Sequence, residues 1–280
     1  MIEGESTFKL SYEDLQTFRD SGIVGPFRLL TDHEIDPILR KLTRDKAKLF
    51  FWHRVLSRSR FLKNFLLGAR WGRAKWEKGM HLVSPVTYGL STDSAILDKI
   101  ESIHGPNLLQ WGSLLITQRP GVMHSWHVDA DCLECDGLTV WLALKNVHEM
   151  TTMKVITRSH HLSVHPVQLE RSNGLDTSDD NAVLQSAQEL DSTCKMNTLD
   201  VHSGEFVIFS GRLWHSIQNR SRQLRSAITF QYSPTSAKIK MPLGGYRFPF
   251  VWDDQPVSCC LVRGTDEYKR NLLVKPPGRP

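Results

Sequence analysis

Residues 204–234 read "GEFVIFSGRLWHSIQNRSRQLRSAITFQYSP", and how this stretch folds decides the fold class. "EFVIFS" and "RSAITFQYSP" are short runs rich in β-branched and aromatic residues, with Gly, Ser and Asn punctuating the chain between them. The first run ends at "SGR", and His215 opens the next extended segment. Moving outward, "NLLQWGSLLITQ", "LTVWLALKNV" and "TTMKVIT" have the same texture from about residue 107. Several short strands without intervening helices predict an antiparallel barrel or sandwich, and a jelly roll is natural at this strand count.

The flanks differ. "SYEDLQTFRDSG" offers a Ser cap and ends on Gly22, and "TDHEIDPILRKL" places Thr31 three residues before Glu34, the capping-box spacing. "STDSAILDKIESIHG" carries Ile96, Ile100 and Ile103 at helical spacing, with Gly105 at its end. The expected organisation is one domain over 1–280: a mainly helical part (1–106), a jelly-roll core (107–235) and a C-terminal extension (236–280). Within the core, residues 166–196 are polar and strand-poor, which predicts either a lid over a site or a mobile surface loop.

Composition narrows the class. An apolar fraction of 40% and a charged fraction of 23% are those of an ordinary globular protein. No apolar run reaches the roughly 20 residues of a membrane helix, and "MIEGESTFKL" lacks the pattern of a signal peptide, so a cytoplasmic protein without membrane insertion is expected. Five cysteines, an odd number thinly spread, argue for reduced thiols. Cys132 and Cys135 form a C-x-x-C with no second pair to close a zinc site. The net charge of +5 is modest, and the basic segments between residues 54 and 78 read as a solvated helical face with Trp71 and Trp76 turned inward. Nucleic acid is not the expected partner.

Chemistry concentrates in "GVMHSWHVDAD" (121–131). If "SWHVDAD" is extended, alternation puts His127, Asp129 and Asp131 on one face and His124 on the other or in the preceding turn. Residues two apart on a strand have Cα atoms about 6.5 to 7 Å apart, so His127 and Asp129 can converge on one ion while Asp131 lies too far off. With 12 histidines and 18 aspartates in the chain, on the order of one H-x-D arises by chance, so the pair needs context. His215 at a strand start supplies a third ligand, and two imidazoles with one carboxylate form the facial triad of non-haem Fe(II) oxygenases. Arg225, on the next strand, has the planar fork that holds a dicarboxylate cosubstrate. His124, His148, His160, His161, His165 and His202 read as structural.

"WHVDAD", "GLTVWLALKN", "KVITRSH", "GEFVIFSGRLWHSIQNRSRQLRSAI" and "FRDSGIVGPFRLLTDHEID" together resemble the phytanoyl-CoA dioxygenase family of iron(II)- and 2-oxoglutarate-dependent oxygenases. The resemblance implies a mainly β, cupin-like double-stranded β-helix with the N-terminal helices packed outside. It implies that His127, Asp129 and His215 bind Fe(II), that Arg225 anchors 2-oxoglutarate, and that O2 is the other cosubstrate. By the same matching, Gln110 and Trp141 fall where the family contacts or lines the cosubstrate pocket; Trp141 reads equally well as core.

Two positions depart from the family. Its members usually carry a glycine before the Ser-His of the middle strand, where this chain has Arg158, and a serine two residues after the distal histidine, where it has Ile217 beside Ser216. Halogenating relatives replace the aspartate of H-x-D with a small residue, so Asp129 implies hydroxylation or a related oxidation; the family resemblance implies a small-molecule substrate, with release of succinate and CO2. The competing readings are a jelly-roll binding module without activity and a zinc hydrolase using the same ligands. Substrate identity and oligomeric state stay open.

Overall fold

A computed structural model describes residues 8–56, 78–129, 137–239 and 257–278. Asp131, the Cys132/Cys135 pair, Trp71, Trp76 and most of the basic stretch therefore lie outside the described residues.

Helix α1 (Tyr12–Ser21) starts on a complete capping box between Ser11 and Asp14 and stops at Gly22, whose φ of 82° satisfies the left-handed C-cap. Helix α2 (Asp32–Leu56) forms half of the expected box. The Glu34 carboxylate accepts from both the amide and the hydroxyl of Thr31. Helices α3 (Pro85–Ser91) and α4 (Ser94–His104) follow, α4 capped by Asp93 and closed by Gly105.

Two sheets make the jelly roll. The main sheet has the order β1-β7-β4-β9-β2-β10-β11 and the minor sheet the order β3-β8-β5-β6. Their strands are β1 (Ile23–Arg28), β2 (Leu108–Gln118), β3 (Met123–His127), β4 (Leu138–Lys145), β5 (Met153–Thr157), β6 (Lys195–Thr198), β7 (Glu205–Ser210), β8 (Trp214–Gln218), β9 (Arg225–Pro234), β10 (Ser258–Arg263) and β11 (Leu272–Leu273). All ladders are antiparallel except β10–β11.

Strand β9, with a neighbour on each edge, shows how the layers arise from period-2 side chains. Ile228, Phe230 and Tyr232 face outward into a core with Leu42, Leu49, Ile96 and Ile100 of the helices. Ala227 faces inward, where Trp141, Ala143, Val207 and Phe209 of the main sheet meet Met153, Val155 and Ile217 of the minor sheet. Burying a side chain such as Leu42 or Ile100 stabilises the fold by about 1.5–3 kcal/mol, so the helical layer is integral to it.

Three features refine this organisation. Residues 23–28 form a strand, β1, in the part expected to be mainly helical; Gly25 and Pro26 sit at a bulge on the sheet edge, where proline costs no ladder bond. The extension after 235 supplies β10, which pairs with β2 and so completes the main sheet. The 166–196 segment is not a bare loop. It folds into α5 (Pro166–Asn173) and α6 (Asp180–Leu190), and α6 packs Val183 and Ala187 with Trp126 and Trp214 on the outer face of the minor sheet. No described helix is long and apolar enough to cross a membrane.

Candidate metal centre

Each of the two histidines expected to bind metal directly follows a tryptophan that turns the other way. Trp126 and Trp214 are fully buried in the cluster under α6, so alternation directs His127 and His215 into the interior. The histidines are register partners across the β3–β8 ladder, and their ring centroids are 4.2 Å apart. Asp129 follows β3, its amide held by the Gly211 carbonyl at 2.8 Å. One ligand atom from each of His127, Asp129 and His215 lies within 4.8 Å of the others.

The ring nitrogens are assigned by their partners. His127 Nδ1 lies 2.8 Å from the Ser125 carbonyl and His215 Nδ1 lies 2.8 Å from the Leu213 carbonyl. Carbonyls only accept, so each Nδ1 carries the proton and each Nε2 keeps its lone pair. Burial pushes the His127 imidazole down to about 3, with His215 adding to the effect, and burial lowers His215 as well. Burial alone would raise the Asp129 carboxyl, but Lys78, the two imidazoles and the Thr139 hydroxyl hold it well below the usual carboxylate range. Neutral imidazoles beside an ionised carboxylate are the protonation states a divalent cation requires.

Strict alternation fails for His124. Strand β3 spends four residues, His124 to His127, against three of β8, Ile217 to His215. The bulge returns His124 to the side of His127, and their ring centroids are 3.9 Å apart. Alternation alone puts His124 on the other face or in the preceding turn; the extra residue turns it toward the site, beside the triad and not part of it.

Arg225 opens β9 fully buried and pairs in register with Gln118. Its Nη1 donates to Gln118 Oε1 at 2.9 Å, and the guanidinium carbon lies 4.9 Å from the Trp141 ring centroid. Nε and Nη2, the other edge of the fork, have no partner among the described residues. Burial pulls the group down to about 9, and no carboxylate offsets it. A ligand carboxylate accepting two parallel bonds would satisfy both nitrogens at once, so the donor set fits a dicarboxylate as the triad fits a metal.

Gln110 does not join this group. Counting by twos from Gln118 puts it on the inner face, but a bulge between Gln110 and Gly112 reverses the parity. Gln110 pairs with Tyr232 and faces the helices, where its Oε1 accepts from the Ser91 hydroxyl at 2.8 Å. Ser216 is likewise turned away, and Ile217 takes the inner face beside His215. Arg158, at the glycine position, has a φ of 70°, which explains why glycine suits that site. Its guanidinium pairs with Asp191 at 3.1 Å, just after α6. Sequence reasoning missed Lys78, the strongest opposite charge acting on Asp129, because nothing in "EKGM" marks it.

A sequence model of the family described as phytanoyl-CoA dioxygenase (PhyH) matches residues 18–227. No curated protein matches the chain. Among solved structures, CytC3 with Fe(II) and alpha-ketoglutarate superposes with a TM-score of 0.61 at 18% identity, over 96% of this chain and 94% of that one. The non-heme monooxygenase ThoJ, in its apo form, gives 0.59 at 22% identity, over 94% and 88%. The non-heme alpha ketoglutarate dependent epimerase SnoN from nogalamycin biosynthesis gives 0.58 at 18% identity, over 90% and 98%. At these identities the likeness is one of fold.

Proposed function

The chain belongs to the phytanoyl-CoA dioxygenase family, and from that premise we propose that it is an Fe(II)- and 2-oxoglutarate-dependent oxygenase that hydroxylates a small-molecule substrate. The observation that carries this reading is the His127–Asp129–His215 triad sharing an interior with the half-satisfied fork of Arg225. Bound iron with 2-oxoglutarate supplies the oxidising chemistry: O2 and the oxo acid are consumed, succinate and CO2 are released, and a substrate C–H becomes C–OH.

The chain's own residues do the rest. His127 and His215 present Nε2 because the backbone holds Nδ1. Thr139 donates to Asp129 Oδ2 and fixes the carboxylate. Arg225, pinned by Gln118 and lying against Trp141, is placed to orient the distal carboxylate of the cosubstrate. The fully buried Trp141, Val155 and Phe209 keep bulk water from this side of the site. Asp129 would hold the metal at the place a halide needs, which supports hydroxylation over halogenation.

Anaerobic addition of Fe(II) and 2-oxoglutarate should produce a weak visible charge-transfer band, absent in His127→Ala and Asp129→Ala. Folded wild-type protein that takes up no iron and shows no band would refute the proposal. Hydroxylation is checked separately, by mass analysis of products formed with and without chloride.

A further inference from the structure

The inner face of β9 carries a second polar group that the scheme above leaves unused. Gln231 shares that face with Arg225, six residues further along the strand, and is 1% exposed. Its register partner on β4 is Thr139, the residue that holds Asp129. Paired residues on one face have Cβ atoms about 4.5–5.5 Å apart, so the Gln231 side chain leaves its strand beside the carboxylate ligand's own support. Gln231 Oε1 is buried and has no donor among the described residues.

The opposite strand makes room for it. Gly112 on β2 is the register partner of Gln231, and a Cβ there would fall 2.1 Å from Oε1. Its backbone is not in the left-handed region, so the glycine serves space and not conformation. The chain gives up a side chain within a strand to admit a carboxamide whose acceptor then goes unused. A buried acceptor without a donor costs more than a satisfied hydrogen bond contributes, so such a group is retained where a ligand completes it.

We infer that Gln231 is a substrate-recognition residue, and that the substrate presents a hydroxyl or amide N–H donor to Gln231 Oε1 where it lies over Gly112. The inference rests on the proposed metal and cosubstrate site and names the chemistry of its third ligand. Arg225 and Gln231 would then divide one strand face between them, the first reading the cosubstrate and the second the substrate.

The test uses the full chain loaded with Ni(II) and 2-oxoglutarate, so that nothing turns over, and pairs of small probes that differ by methylation of the donor. Benzyl alcohol is compared with benzyl methyl ether, and benzamide with N,N-dimethylbenzamide, by ligand-observed NMR titration. The donor member of each pair should bind about five-fold more tightly, the ratio expected for one hydrogen bond. The preference should vanish in Gln231→Leu, and in Gly112→Ala, which displaces Oε1 from the other side. Equal binding of both members by wild-type protein overturns the assignment even if neither variant folds, as does a preference that survives in folded Gln231→Leu. The Fe(II) charge-transfer band is recorded in parallel: a band without a donor preference sinks this assignment alone, whereas no band in wild-type protein sinks the metal-site reading and this inference with it.

Discussion

Thr139 reaches from β4 of the main sheet to donate its hydroxyl to Asp129 Oδ2 at 2.8 Å, so the carboxylate that follows β3 of the minor sheet is held by the opposite sheet. Replacing Thr139 by valine keeps the shape and removes the donor. Hydrogen bonds to metal ligands typically account for 10–100-fold in affinity, and a loss of about that size is expected for Mn(II) or Fe(II) in Thr139→Val, with near-wild-type binding in Thr139→Ser. Calorimetric titration reads it directly, and unchanged affinity in the valine variant would show that Asp129 is oriented by other contacts.

Arg225 predicts opposite signs for two observables. A buried charge without a counter-ion costs several kcal/mol, against about 1–3 kcal/mol for leaving Gln118 Oε1 unpaired once Arg225 is replaced. Arg225→Met should therefore melt no lower than wild type in the absence of ligands, yet lose the rise in melting temperature that 2-oxoglutarate gives the wild type. Arg225→Lys keeps the charge without the fork and should raise the KM for 2-oxoglutarate at least ten-fold. A ligand-free Arg225→Met protein much less stable than wild type would contradict this account.

Arg158 tests the cost of backbone conformation. Its φ of 70° is strained for a side chain with a Cβ, and its ion pair with Asp191 is partly exposed and worth little. Arg158→Gly relieves the strain and loses the pair, so urea unfolding should change by less than about 1 kcal/mol. Arg158→Ala loses the pair and keeps the strain, and should be the less stable of the two.

Acid should destabilise the metal-free protein earlier than its carboxylates alone would dictate. Burial pushes His81 down to about 3 and, with His161 adding, His160 down to about 4, against an ordinary value of 6.5. Both are neutral when folded and protonated when unfolded as pH falls below 6.5, so their contribution is complete above that pH. It is lost progressively down to the folded values. The fully buried His81 alone gives a slope of about 1.4 kcal/mol per pH unit in this window. Urea midpoints at pH 7.5, 6.5 and 5.5 should be level between the first two and fall at the third; a midpoint level throughout would show that these rings are protonated in the folded state.

The readable parts of this chain were those where a local rule meets no interruption. The apolar strands, the caps at Ser11 and Gly22, and the convergence of His127, Asp129 and His215 follow from periodicity and turn chemistry. The failures have one cause each. A single extra residue reverses the parity of a strand, and this happens twice: it brings His124 to the site and takes Gln110 away. The 166–196 segment looked irregular because the helices need cover little more than Trp126 and Trp214, so most of their surface is polar. Lys78 and Gln231 carry no motif at all; their places are set by register with distant strands.

The half-satisfied guanidinium of Arg225 has a consequence for the protein's abundance as well as its chemistry. A ligand that binds only the folded form adds to stability with the logarithm of its concentration, about 2.7 kcal/mol at one hundred times its dissociation constant. For a chain carrying this buried charge, the cosubstrate acts as a missing piece of the interior. The folded population, and with it the fraction exposed to proteolysis, would then follow the supply of dicarboxylate. Protease resistance measured across a titration of 2-oxoglutarate and metal, in wild type and Arg225→Met, would show whether nutrient level sets the lifetime of this fold.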